Sequence, residues 1–322
     1  MDQINNDVQE RYRRALDSLV GKLKEDSTVL AVVLMGSMSH DVVWEKSDID
    51  LLIVTTEVKL KSSALFLTED DVNIHAYLYT RSAFRKSLDG SMQSTFVHSL
   101  LSHGTMLFTR DVSLAEAYEA RHEYGGRDRM AVAMRHTSCV IALLAKAEKW
   151  LTVRRDAHYC LVYILTTVQY LAGIETALQG EIAGREVIQQ AIRLNPPFFT
   201  AVYTHLLENE HTLEAMQTAI IAIQKYLKTR AFEVFVPVLE YLEQERTARS
   251  ATEIADHFAH NMRVEGVETL CEWLADEGII RKIAVPVRVT EKSKISVEEA
   301  AYYFDGDIQE LLAAAANKGA AK

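Results

Sequence analysis

Two short clusters in the sequence carry residue types suited to phosphate chemistry. Asp48 and Asp50 stand two apart at the head of an apolar run, Ile49 to Thr55. In an extended chain their carboxylates therefore project from one face, where they can share a divalent cation such as Mg2+. Upstream, Gly36-Ser37 closes another apolar run, Val29 to Met35. A glycine turn lets backbone amides approach phosphate oxygens, and the Ser37 hydroxyl adds a donor. A metal ion held by the two aspartates would polarise a phosphoryl group and offset the charge of a leaving pyrophosphate. The pair of clusters thus suits a divalent cation together with a ligand rich in phosphate oxygens, a class that includes a nucleoside triphosphate (NTP) such as ATP.

These residues need strands and a turn to hold them. Val29 to Met35 and Ile49 to Thr55 read as buried strands, and Val72 to Thr80 as a third whose apolar Val72, Ile74, Ala76 and Leu78 alternate with Asn73, His75, Tyr77 and Tyr79. Val8, Tyr12, Leu16, Leu19 and Leu23 recur at helical spacing, so a helix from about 7 to 24 should pack on the sheet. Ser82 can cap a short helix, a further helix is expected at about 91–102 with Gly104 at its end, and Met106 to Thr109 reads as a strand. This α/β segment ends near residue 120, and the charged, Gly-containing stretch 122–129 reads as a linker.

From 130 to 230 the pattern is helical throughout: helices are expected at about 130–152, 156–178, 184–193, 198–208 and 211–229, with a break at Asn195-Pro196-Pro197. Residues 231–305 differ again. Helices at Phe232 to Glu245, at Ala251 to Phe258 behind Ser250, and at Val264 to Glu277 precede strands at Ile279 to Ile283 and Val287 to Thr290, the order of a winged helix. An Ala-rich tail follows from 306 to 322.

Composition narrows the function classes. A formal net charge of -10 opposes broad adhesion to nucleic acid, whose phosphates must be met by clustered cations. Cys139, Cys160 and Cys271 are odd in number and scattered, so they make neither a disulfide framework nor a zinc site, which fits a reducing cytoplasm. The N-terminus lacks the apolar core of a secretory signal, and no stretch reads as apolar enough to span a bilayer, so no membrane association is expected.

The segment Val32 to Val54, VVLMGSMSHDVVWEKSDIDLLIV, resembles the nucleotidyltransferase superfamily that includes DNA polymerase β and the aminoglycoside nucleotidyltransferases: a strand, Gly-Ser, a ten-residue connection, Asp-apolar-Asp and a second strand. The resemblance covers about the first 120 residues and implies a small mixed-sheet nucleotidyltransferase domain at 1–122; with the all-α helical bundle at 130–230 and the winged-helix-like domain at 231–305 read from the order of elements, the chain is expected to be α+β. The resemblance also implies Mg2+-dependent transfer of a nucleoside monophosphate from an NTP to a hydroxyl of a small molecule or protein, with Asp48 and Asp50 on the metal and Gly36 and Ser37 on the triphosphate. The family usually supplies a third carboxylate from a later strand. Here that polar face offers Asn73 and His75 instead, with Asp70 and Asp71 just before the strand. This departure motivates the alternative of a noncatalytic nucleotide-sensing regulator.

In the aminoglycoside enzymes a helical domain contributes to the cleft. By that likeness Glu148, Asp156 and His158 are candidate proton acceptors, and Lys146, Lys149, Arg154 and Arg155 candidate phosphate partners, with Arg154 and His158 on one helical face. The third helix of the 231–305 segment carries Glu265, Glu268, Glu272, Asp276 and Glu277, which would repel a phosphate backbone, although Arg281, Lys282, Arg288, Lys292 and Lys294 lie in the hairpin. DNA binding is therefore not favoured, and a structural, homodimerising or substrate-shaping module is preferred.

Overall fold

The computed structural model describes residues 2–36, 38, 44–91, 104–120 and 126–308. The chain divides into two compact units, Met1–Gly125 and Gly126–Lys322.

In the first unit, helix α1 (Asp2–Glu25) is followed by β1 (Val29–Met35), β2 (Ile49–Thr55), β3 (Ala64–Glu69), β4 (Val72–Thr80), α2 (Arg81–Ser91), β5 (Thr105–Thr109) and α3 (Val112–Glu119). The strands form one mixed sheet in the order β3-β4-β2-β1-β5. β2 pairs antiparallel with β1 and parallel with β4, while β3 and β5 lie antiparallel at the edges. Both central strands are covered on both faces. Val32 and Leu34, Ile49, Leu51 and Ile53, and Ile74 and Ala76 pack under Tyr12, Leu16 and Val20 of α1. Ala31, Val33, Met35, Leu52 and Val54 pack against Phe84 and Leu88 of α2 and Leu114 and Tyr118 of α3. That two-sided cover is why β1 and β2 read as continuous apolar runs.

β3 has no counterpart among the sequence expectations. It joins β4 through Asp70 and Asp71, both with positive φ (48° and 58°), the backbone that a two-residue hairpin turn demands. α2 begins at Arg81, ahead of Ser82, and its end is capped by Glu57, which accepts from the Ser82 backbone N–H at 2.6 Å and the Ser82 hydroxyl at 2.9 Å. Asp111 caps α3 and pairs with Arg81 at 2.5 Å, which holds its carboxyl down at about 2. The helix expected at 91–102 lies outside the described residues from 92 onward.

The second unit opens with α4 (Gly126–Lys149), a π-helical turn at Trp150–Arg154, and α5 (Ala157–Leu178). α4 thus includes residues 126–129, which the sequence reading gave to a linker. Next come α6 (Val187–Leu194), α7 (Pro196–Phe199), a second π-helical turn at Thr200–Thr204, α8 (His205–Glu208) and α9 (Leu213–Val234). The remainder is α10 (Val236–Glu245), β6 (Arg249–Ser250), α11 (Ala251–Met262), α12 (Val267–Asp276), β7 (Arg281–Val287) and β8 (Val297–Tyr303), with strand order β6-β8-β7. Ser250 and Glu253 form a capping box on α11. The second hairpin strand falls at 297–303, not 287–290. β7 runs on through Pro286 because it is an edge strand, where a missing N–H breaks no ladder bond. Gly266 (φ 80°) brings the start of α12 against Ser138 of α4, so the 231–305 segment packs directly on the bundle.

Two helical stretches, Asp128–Arg154 and Ala157–Leu178, are long and apolar enough to cross a membrane by length and composition, each with mean hydropathy 1.3, contrary to the sequence expectation. About half of each (50% and 56%) is buried inside the unit, as in core helices, since their charges gather toward the ends. Between them the His136 ring lies over Gly173, where any Cβ would overlap it. Glu175 of α5 is 1% exposed and accepts from Tyr226 Oη at 2.8 Å and Arg230 Nη2 at 3.0 Å, both on α9.

Two stability measurements follow from these buried groups. Glu175→Ala takes the buried acceptor from Tyr226 and leaves Arg230 paired with Glu233, and should lower unfolding free energy in urea by about 3 kcal/mol. Burial, reinforced by the Arg135 charge and opposed by a hydrogen bond with the Tyr170 backbone, pushes the His136 imidazole from its ordinary 6.5 down to about 4. The unfolded chain then binds the proton first as pH falls through 6.5, so stability present at neutral pH is lost between 6.5 and about 4. The loss approaches about 3 kcal/mol. In His136→Leu, urea midpoints measured across that window should show this component removed.

Candidate metal and nucleotide site

The cover provided by α2 and α3 ends where β2 begins, and there the sheet carries polar side chains. Met35 on β1 pairs with Asp50 on β2, Asp50 with His75 on β4, and His75 with Phe66 on β3. These four positions form one lateral row across the sheet. Asp48, two residues before Asp50, projects to the same side.

The row brings Asp48, Asp50 and His75 together, with one ligand atom of each within 4.8 Å of the others. His75 Nδ1 lies 3.0 Å from Asp48 Oδ2 and 3.9 Å from Asp50 Oδ1. The side chains are partly open, 43% exposed for Asp48, 34% for His75 and 17% for Asp50, as a site must be to admit a ligand. Phe66 is 80% exposed and meets the His75 ring edge-on, with centroids 5.0 Å apart and planes at 83°.

Gly36 is required twice over at the end of β1. Its φ of 75° suits glycine, and a methyl group there would overlap the Asp50 carboxylate. The turn before Asp48 is held from the other direction. Trp44 O accepts from Ser47 N at 2.9 Å, Ser47 Oγ from Trp44 N at 3.1 Å, and the buried Tyr12 hydroxyl of α1 donates to Ser47 O at 2.5 Å. Tyr12 reads in the sequence only as a core residue of a helix. Its polar end, rare in a fully buried position without a partner, was the signal for this role.

Of the other residues singled out from sequence, Ser37 lies outside the described residues. Asn73 is exposed, on the His75 face but one pleat away from it. Asp70 and Asp71 are used by the hairpin turn, and among the described residues no third carboxylate joins Asp48 and Asp50. The bundle candidates all belong to the second unit, and several of them have local partners. Glu148 accepts from Gln224 at 2.7 Å, Asp156 caps α5 at Tyr159 N, and Arg154 and Lys146 lie over the rings of Trp150 and Tyr163. Arg154 and His158 do not share a helical face, because Arg155 between them turns to φ 52° and ends the helix. The acids Glu265, Glu268, Glu272, Asp276 and Glu277 stand exposed, with Lys282 and Lys228 paired to Glu272 and Glu277 at 3.1 and 2.9 Å.

Comparison with known proteins bears on this arrangement. A family model described as polymerase beta, nucleotidyltransferase matches residues 18–113. The crystal structure of a nucleotidyltransferase-like protein from Exiguobacterium sibiricum is similar in fold, with a TM-score of 0.62 at 13% identity over 91% of this chain and 99% of that one. No curated protein matches. The matched span runs from the middle of α1 to the start of α3 and includes every strand of the sheet on which Asp48, Asp50 and His75 meet, so the first unit carries a nucleotidyltransferase domain of the polymerase β superfamily.

Proposed function

We propose that the chain is a divalent-metal-dependent nucleotidyltransferase, moving a nucleoside monophosphate from an NTP to a hydroxyl of a small molecule or a protein. The observation that carries this reading is the convergence of Asp48, Asp50 and His75 at the open end of the sheet, next to the Gly36 turn. In the reaction the acceptor hydroxyl gives up its proton to solvent as its oxygen bonds to the α-phosphorus, and the α–β bridging P–O bond breaks with its electron pair leaving on pyrophosphate.

The donor set fits a divalent cation: two carboxylates and an imidazole, close together and partly exposed. Such an ion, when bound, polarises the α-phosphoryl group and neutralises charge on the departing pyrophosphate. Asp48 and Asp50 would hold it, and two carboxylates by themselves suit Mg2+. Gly36, lacking a side chain, leaves the Asp50 carboxylate its place and lets triphosphate oxygens approach the backbone, with the Ser37 hydroxyl as the adjoining donor. Tyr12 keeps the turn before Asp48 in position, so that the two carboxylates remain aligned. The three free cysteines accord with a cytoplasmic setting.

A second reading is favoured by one observation, the histidine at the place of the usual third carboxylate. In that version the domain senses a nucleotide without turning it over. It requires NTP binding with no pyrophosphate release from any NTP, together with salt-sensitive binding to duplex DNA or a protein partner through the 231–305 segment.

Replacing Asp48 and Asp50 together by Asn should abolish metal-dependent NTP binding in calorimetry while the circular dichroism spectrum stays that of the parent. Unchanged binding in that variant would remove the proposal. Gly36→Ala should cost about 1–3 kcal/mol in unfolding free energy through backbone strain. It should also weaken divalent-ion affinity, because the added methyl displaces the Asp50 carboxylate. Equal affinity in Gly36→Ala and the parent would show that the turn does not support the site.

A further inference from the structure

The third group of the cluster points to the identity of the ion. We infer that the site selects a first-row transition ion of the Co2+ or Zn2+ class over Mg2+, with His75 as a direct ligand through Nδ1. The inference rests on the assignment of Asp48 and Asp50 as metal ligands and extends it.

Three observations carry it. The first is distance. Ligand atoms at about 2.1 Å from one ion are about 3.0 Å apart at right angles, about 3.4 Å apart in a tetrahedron and about 4.2 Å apart when opposite. The separations from His75 Nδ1 to the two carboxylates, 3.0 and 3.9 Å, fall within that span, and all three ligand atoms lie within 4.8 Å of one another, so side-chain rotation of the acids brings the three onto one ion without movement of the strands. The second is placement. His75 sits opposite Asp50 in the parallel β2–β4 ladder, a position set by backbone hydrogen bonds and not by a mobile loop. The third is orientation. The exposed Phe66, paired with His75 on the neighbouring strand, sets its ring edge-to-face with the imidazole, which restrains the rotation that would carry Nδ1 away from the acids.

Ligand chemistry then decides the ion. Mg2+ is hard, small and reluctant to give up water, and is held by oxygen. Imidazole nitrogen suits the later first-row ions, whose affinities rise along the series toward copper. A third carboxylate at position 75 would have kept the set all-oxygen. The histidine replaces one oxygen by nitrogen and removes one negative charge, both of which disfavour Mg2+ relative to Co2+ or Zn2+. Phe66 has a use in this arrangement that its exposure alone does not explain: it positions a ligand.

The test uses the full-length chain stripped of metal, titrated calorimetrically with Mg2+ and with Co2+ in the absence of nucleotide, for the parent and for His75→Asp. The expected result is a Co2+-over-Mg2+ preference in the parent that falls by about tenfold or more in His75→Asp, where the set becomes all-oxygen. The Co2+-loaded parent should also show, by proton NMR, a strongly shifted solvent-exchangeable resonance from the Nε2–H of a Co2+-bound imidazole, absent in His75→Asp. Phe66→Leu should lose Co2+ affinity several-fold and keep its Mg2+ affinity. If His75→Asp does not fold, the shifted resonance in the parent and the Phe66→Leu titration decide the matter. Equal preference in parent and variant, or Co2+ bound without that resonance, overturns the role of His75. Co2+ binding that persists undiminished in the Asp48→Asn, Asp50→Asn double variant, or no divalent binding at all, overturns the aspartate assignment as well, so the two failures are distinguishable.

Discussion

The register of β2 between its two neighbours is the constraint on which the first unit depends. Side chains alternate along a strand, so a slip of one residue exchanges the two faces. For β2 such a slip would drive the Asp50 carboxylate under α1, among Val32, Ile74 and Ala76, in place of Ile49 or Leu51. Burying an unpaired carboxylate there costs at least several kcal/mol, more than any single strand-pairing contact returns. The same register places Asp50 beside Met35 on one side and His75 on the other. The packing that stabilises the sheet and the geometry of the polar cluster are therefore one requirement.

The supports of the cluster come from both ends of the connection between β1 and β2. Gly36 ends β1 without a side chain, which leaves the Asp50 carboxylate its space. Tyr12, buried in α1, reaches through the core to the carbonyl of Ser47 just before Asp48. A polar site placed at the edge of two apolar cores inherits their rigidity while remaining open to solvent. Among the described residues of the first unit, α2 and α3 cover Leu52 and Val54, while the Asp50 side chain keeps 17% of its surface exposed.

The second unit is organised by different means. α4 and α5 pack closely because Gly173 admits the His136 ring, and Glu175 ties α5 to α9 through Tyr226 and Arg230. The bundle and the 231–305 segment share a compact unit, with Gly266 of the latter against Ser138 of α4. In that segment the acids Glu265, Glu268, Glu272, Asp276 and Glu277 stand exposed, two of them paired with lysines.

Local regularities were legible in the sequence because they depend on chain geometry alone. The two-residue period puts Asp48 and Asp50 on one face, apolar runs mark β1 and β2, and alternation marks the polar face of β4, whatever lies beside them. β3 escaped, although Leu65 and Leu67 alternate with Phe66 and Thr68, because its turn is Asp-Asp and lacks the glycine that usually signals a hairpin. Pro286 misled for the complementary reason: it breaks a central strand, and only the strand order shows that β7 is an edge. The sequence by itself determined that two aspartates share a face near a glycine turn. Which polar residue of β4 completes the cluster, His75 or Asn73, was decided by tertiary structure, because cross-strand register depends on how β4 is laid against β2 and no spacing within either strand contains it.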